Sequence, residues 1–138
     1  LNMVNKESGL AGISGVSSDM REITAAAKQG NEKAILSLEM YEQRITKYVG
    51  AFAAEMGGVD IIVFTGGVGE HQSSTRANVC NPLRFMGVEI DDAANDANNG
   101  DEGIISTPNS AVKVVVIPTD EEYMIAKDTE AIIEGREP

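Results

Sequence analysis

Tryptophan is absent from this 138-residue chain, cysteine and histidine occur once each, and 11 basic residues face 22 acidic ones. A single cysteine, Cys80, excludes an internal disulfide and fits a reducing compartment. A thiol nucleophile needs a nearby base, and nothing in the sequence places the only histidine, His71, as one. Cys80 therefore reads as a small buried residue at a helix end. The net charge of −11 argues against a nucleic-acid backbone or an anionic membrane as partner. No apolar run is long enough to span a bilayer and no signal peptide is recognisable, so the expected location is cytoplasmic. The chain opens at Leu1 rather than Met, as an interior piece of a longer protein or a trimmed chain would.

The apolar content of 42% and the length suit one soluble domain over residues 1–138. Residues 1–18, rich in Gly and Ser, read as loop with at most a short turn. Ser18 or Asp19 can cap a short helix to Lys28, and Asn31 a second one. From Glu32 to Met56, residues Ile35, Leu38, Tyr41, Ile45, Tyr48, Val49, Phe52 and Met56 recur at helical spacing, and Gly57-Gly58 stops the helix. The apolar runs 59–64 and 112–117 predict two buried, neighbouring parallel strands. Between them, 72–80 predicts a short helix closed by Asn81-Pro82, and 85–91 (FMGVEID) a strand. The polar segment 92–103 predicts a surface loop or short helix and the least ordered part of the chain. Thr119 and Glu122 form a capping-box pattern opening a final helix to about Glu134. The order of elements gives an α/β fold, with sites at the carboxyl ends of its strands.

The most informative stretch is VDIIVFTGGVGEH at 59–71. A buried strand runs into Thr65-Gly66-Gly67-Val68-Gly69, a tight glycine turn before a helix. Such glycines let backbone approach a ligand, and a helix start favours an anion such as phosphate. A P-loop is excluded, because no Gly-Lys-Ser/Thr follows. A dinucleotide fingerprint has Gly67 and Gly69, with Glu89 or Asp91 about twenty residues on. It lacks the third glycine, where Gln72 stands, and its helix is cut by Pro82. The plain alternative is a strand-to-helix turn that binds nothing.

Together, VFTGGVGEH, SGVSSDMRE at 14–22 and VVVIPTDEE at 114–122 closely resemble the acetate kinase family, within the acetate and sugar kinase, Hsp70 and actin superfamily. The resemblance covers nearly the whole chain and matches the C-terminal third of the family's length. It implies part of a C-terminal ribonuclease H-like (actin-like ATPase) domain, a mostly parallel sheet flanked by helices. The implied activity is reversible transfer of the ATP γ-phosphoryl group to acetate, giving acetyl phosphate and ADP, with Mg2+.

By the same resemblance, Gly66, Gly67, Val68 and His71 belong to an adenosine-binding motif, His71 standing where the family usually has Asn. Asp19, Met20 and Arg21 would lie across the adenosine, with Arg21 stacking on the base. The plainer reading is that Asp19 caps a helix and Arg21 pairs with a nearby acid. Glu121 would stand beside the magnesium, although acids also suit a first helical turn. Asp120 occupies a position that is commonly Asn. The remaining arginines, the histidine and the other reacting groups of the family lie upstream, so no catalytic residue is expected here and the isolated chain is expected to be inactive. A homodimer is implied by analogy. A sister propionate or butyrate kinase, and a non-catalytic nucleotide-binding or association module, share these features.

Overall fold

A computed structural model of the protein describes residues 2–136. Helices α1 (Asn2–Lys6), α2 (Gly9–Ser14) and α3 (Met20–Lys28) precede the long α4 (Glu32–Met56). Strand β1 (Ile61–Phe64) leads into α5 (Gly66–His71) and α6 (Ser73–Cys80), then a 3-10 helix at Asn81–Met86. Helix α7 (Asp92–Ala97), strands β2 (Gly103–Ile104) and β3 (Lys113–Val116), and α8 (Glu121–Ile133) complete the order. In the sheet, β3 lies centrally, parallel to β1 and antiparallel to β2. The register sets Ile61 opposite Lys113 and Phe64 opposite Val116.

The expected parallel pair and the limits of α4 hold. Asn31 Oδ1 accepts the Ala34 N–H at 3.1 Å, and Gly57 closes α4. Four expectations are corrected. Residues 2–18, read as loop, form α1 and α2, and α2 packs on α4; Leu1 lies outside the described residues. Of the strand expected at 85–91, only isolated bridges at Val88 and Ile90 remain, because Pro82 sets a 3-10 turn through Met86. Strand β1 is buried on one face only: Ile62 and Phe64 enter the core, while Ile61 and Val63 stay about half exposed. The apolar stripe of α4 is likewise split. Ile45 and Val49 pack against the core, whereas Tyr48 and Phe52 are exposed and stack with ring centres 6.1 Å apart.

The fourth correction concerns 92–103. The segment is packed, not loose, because Asn95 is buried beside a buried Arg76. The Arg76 guanidinium donates to Asn95 Oδ1 and to the carbonyls of Gly69, Glu70, Asn95 and Asn98, at 2.7–2.9 Å. All five of its N–H donors are used. Two of those carbonyls close α5 and two lie in and just beyond α7, so a single cation occupies two helix C-terminal ends. The core itself, around Val79, Leu83, Val88, Ile105, Val114 and Val116, lies between the sheet and helices α4 and α6.

A second buried charge crosses α4 and α6. Glu42 accepts the Thr75 hydroxyl at 3.1 Å and the Asn78 amide at 2.9 Å. Burial pushes its carboxyl above the ordinary 4.5, against the opposing effect of those two bonds. Cys80 is 1% exposed, and burial pushes its thiol up to about 12, which removes it as a nucleophile.

Replacing Arg76 by Lys leaves three donors for five acceptors, and should cost about 2–4 kcal/mol in a urea titration. For Glu42, the folded form holds its proton more tightly than the unfolded one. Its favourable contribution is therefore full below pH 4.5 and is lost as pH rises through the raised value. Glu42→Gln should remove that slope and match or exceed the parent's stability at pH 7, read as unfolding free energy against pH.

Candidate functional site

The strands β1 and β3 run parallel, so their carboxyl ends deliver residues 65–71 and 117–122 to the same edge of the sheet. Thr65 is extended and Gly66 takes φ +72°, a left-handed conformation that a side chain would strain. The stretch expected as a glycine turn coils immediately into α5. Gly67 faces open space, where an added Cβ would meet nothing within 4 Å.

One cavity of about 560 Å³ is lined by Leu10, Ser18, Asp19, Met20, Arg21, Tyr41, Gly67, Val68, His71 and Gln72. Six of the expected binding residues, Asp19, Met20, Arg21, Gly67, Val68 and His71, thus share one hollow built from α2, α3, α4 and α5. Met20 is buried in its wall and Arg21 is exposed at its rim. A second, polar cavity of about 420 Å³ is lined by Gly66, Gly67, Thr119, Asp120, Glu121 and Glu122. Gly66 lies on this side, and Gly67 belongs to both. An apolar chamber therefore adjoins a polar one across a single glycine. Among the described residues no group of three or more His, Cys, Asp or Glu side chains converges as a metal site.

The plainer readings hold for Asp19 and Arg21. Asp19 caps α3 by accepting the Arg21 N–H at 2.8 Å, and it pairs with the Arg21 side chain at 2.6 Å. The Arg21 side-chain hydrogen bond, then its backbone bond, holds the Asp19 carboxyl down at about 2. Asp19 in turn raises the guanidinium of Arg21. Capping and lining are compatible, because the pair lies on the cavity edge and orients the flat guanidinium there. His71, read alternatively as a solvated residue, is 56% exposed in its side chain, and its Nδ1 lies 3.2 Å from the Asn99 carbonyl.

Thr119 does not cap α8. Asp120 does, accepting the Tyr123 N–H at 3.0 Å, and no bond from Glu122 back to Thr119 forms. Thr119 is engaged by Glu70, a residue the sequence reading passed over. Glu70 Oε1 accepts the Gly66 N–H, the Thr119 N–H and the Thr119 hydroxyl, at 2.8–2.9 Å. Those bonds, the Thr119 backbone bond first, hold its carboxyl below 4.5. One carboxylate thus ties the start of α5 to the approach of α8 and sets the width of the polar cavity. Its signal was local: an acid four residues after the first glycine reaches back to a free N–H at the helix start. The cross-strand partner Thr119 carried no such signal.

The contribution of Glu70 is present above pH 4.5 and is lost as pH falls through its lowered value. Glu70→Ala should therefore accelerate hydrogen exchange at Gly66 and Thr119 together, by about tenfold or more, while α4 amides stay protected. Unequal effects at the two amides would show that no shared latch exists.

The family model described as the acetokinase family matches residues 1–127. The chain is 59% identical over 131 residues to an acetate kinase of Porphyromonas gingivalis, covering 95% of this chain and 33% of that one. The crystal structure of a Porphyromonas gingivalis acetate kinase superposes with a TM-score of 0.87 at 57% identity, over 96% of this chain and 33% of that one. A propionate kinase from Francisella tularensis superposes with a TM-score of 0.81 at 38% identity, over 92% of this chain and 32% of that one. The chain spans about a third of the length of these relatives. Its sheet and helices are accordingly part of an actin-like ATPase domain, and the chain belongs to the acetokinase family.

Proposed function

We propose that this chain is the nucleotide-binding C-terminal third of an acetate kinase, folded as a single domain over 1–138. The observation that carries the reading is the shared cavity: residues 18–21 and 67–72, far apart in sequence, enclose one chamber beside an acidic one. The apolar chamber suits an adenosine, with Arg21 held flat at its rim and the Gly67 backbone open to approach. The polar chamber suits the phosphates of ATP or ADP.

Mg2+ fits the residues of that second chamber. It takes one or two protein carboxylates and completes its shell with phosphate and water oxygens. Glu121 is exposed on the polar cavity, and among the described residues its carboxylate accepts no hydrogen bond, while Asp120 is occupied as a cap. Glu121 would hold the ion, whose charge offsets the negative oxygens of the phosphates. The chain's own residues bind and orient; none of them carries the phosphoryl transfer to acetate. The reactive arginines and histidine of the family belong upstream, so the isolated chain makes no acetyl phosphate. The whole enzyme is expected to be a cytoplasmic homodimer. No helix among the described residues is long and apolar enough to cross a membrane, in keeping with that placement. A propionate kinase is the second reading, favoured by the superposition on the Francisella tularensis enzyme. The higher identity to acetate kinases ranks it second.

Titration of the chain with Mg-ADP should shift the Arg21, Gly67 and His71 amides saturably. Arg21→Ala should weaken that binding about tenfold, as expected for a lost stacking and charged contact. Acetyl phosphate formed by the pure chain, or amide shifts confined to other regions, would refute the reading.

A further inference from the structure

His71 is the only histidine in the chain, and a turn from a distant segment holds its ring. The Asn99 carbonyl lies 3.2 Å from Nδ1. A carbonyl can only accept, so Nδ1 carries the proton of the neutral ring and Nε2 carries the lone pair. Gly100, at φ +103°, lies against the same ring: a Cβ there would sit 2.5 Å from Cε1 and 2.8 Å from Nδ1. A side chain at Gly100 would be strained at this φ and would have to push the imidazole off the turn.

The turn is itself anchored. The Asn98 carbonyl accepts from Arg76 at 2.9 Å, and its side chain spans the turn, accepting the Gly100 N–H and donating to the Asp101 carbonyl. A hydrogen-bonded path therefore runs from a buried cation, through 98–101, to a ring lining the apolar cavity. At the ring's other nitrogen, the nearest acid oxygen is Glu70 Oε2 at 3.9 Å, too far for a hydrogen bond. The acceptor Nε2 is thus without a partner among the described residues.

We propose that the 98–101 turn is a positioning element of the nucleotide cavity. It locks His71 as the Nδ1–H tautomer, so that Nε2 accepts a hydrogen bond from a donor of the bound nucleoside. That donor is either the exocyclic amine of the base or a ribose hydroxyl. The inference rests on the adenosine reading of the cavity and adds to it a polarity: the site prefers a ligand that donates at this point. Asn99 and Gly100 act through His71 and touch no ligand themselves.

The sole imidazole can be observed directly by long-range proton–nitrogen NMR, which separates the two neutral tautomers from each other and from the charged ring. The free chain should show a pyrrole-type Nδ1 and a pyridine-type Nε2, and Mg-ADP should move Nε2 upfield. Mg-inosine diphosphate lacks the amine and Mg-2′,3′-dideoxy-ADP lacks the hydroxyls; the one that fails to move Nε2 names the donor. Gly100→Ala should abolish the tautomer preference and weaken ADP about tenfold, the worth of one hydrogen bond. In the His71→Asn background the same change should cost about twofold or less, since the shorter side chain leaves room; a merely structural role would cost the same in both.

A dominant Nε2–H tautomer in the free chain overturns the lock, and this holds even if Gly100→Ala fails to fold. ADP binding that shifts Arg21 and Gly67 but leaves Nε2 unmoved overturns the acceptor role while sparing the adenosine reading. Absence of any shift at Arg21 and Gly67 overturns that reading and the acceptor role together, and the tautomer then decides the lock alone.

Discussion

Everything at the carboxyl edge of the sheet depends on one buried guanidinium. Arg76 is fully buried, and each of its hydrogen bonds goes to a carbonyl or amide oxygen rather than to a carboxylate. Burial depresses its ionisation, yet five well-made bonds keep a planar cation in place. A neutral side chain would leave the ends of α5 and α7 with unpartnered carbonyls. A lysine could reach some of them and not the rest. The segment 92–103, polar enough to read as loose, is therefore ordered from within.

Glu70 plays the complementary role on the other side of α5. The arginine gathers carbonyls at the end of that helix, and the carboxylate joins the N–H at its start to that of Thr119 before α8. Between them a six-residue helix, three of whose residues are glycine, is held without much apolar burial. The arrangement has an electrostatic consequence. The Gly66 N–H is already taken, Arg21 is already paired with Asp19, and Asp120, Glu121 and Glu122 surround the polar cavity. A polyanionic ligand would meet little free positive charge at these two cavities.

Local signals carried much of the fold. The caps of α3 and α4, the glycine stop of α4, and the two β-branched runs each show in a short window, and all are found in place. The residues of the cavity were legible because three motifs bring them in order, not because periodicity marks them. Elsewhere local signals misled. Thr119 looks like a cap, but a carboxylate from another strand end outcompetes the helix for its hydroxyl. The run at 85–91 alternates like a strand, but the preceding proline turn leaves it room only for single bridges. The apolar stripe on α4 marks one face of an amphipathic helix, yet its fully buried residues are Ala34, Ser37, Glu42 and Ala53.

The sequence by itself determined the α/β order, the parallel pairing of β1 with β3, and the motifs that identify the family. These follow from short-range patterns: strand runs, caps and glycine stops need no distant partner. Only the tertiary structure decided where the polar side chains go. Arg76, Asn95, Glu70, Asn99 and Gly100 act across 6 to 49 positions of chain. Burial of a polar group is set by whether distant donors and acceptors converge on it, and no local pattern encodes that convergence.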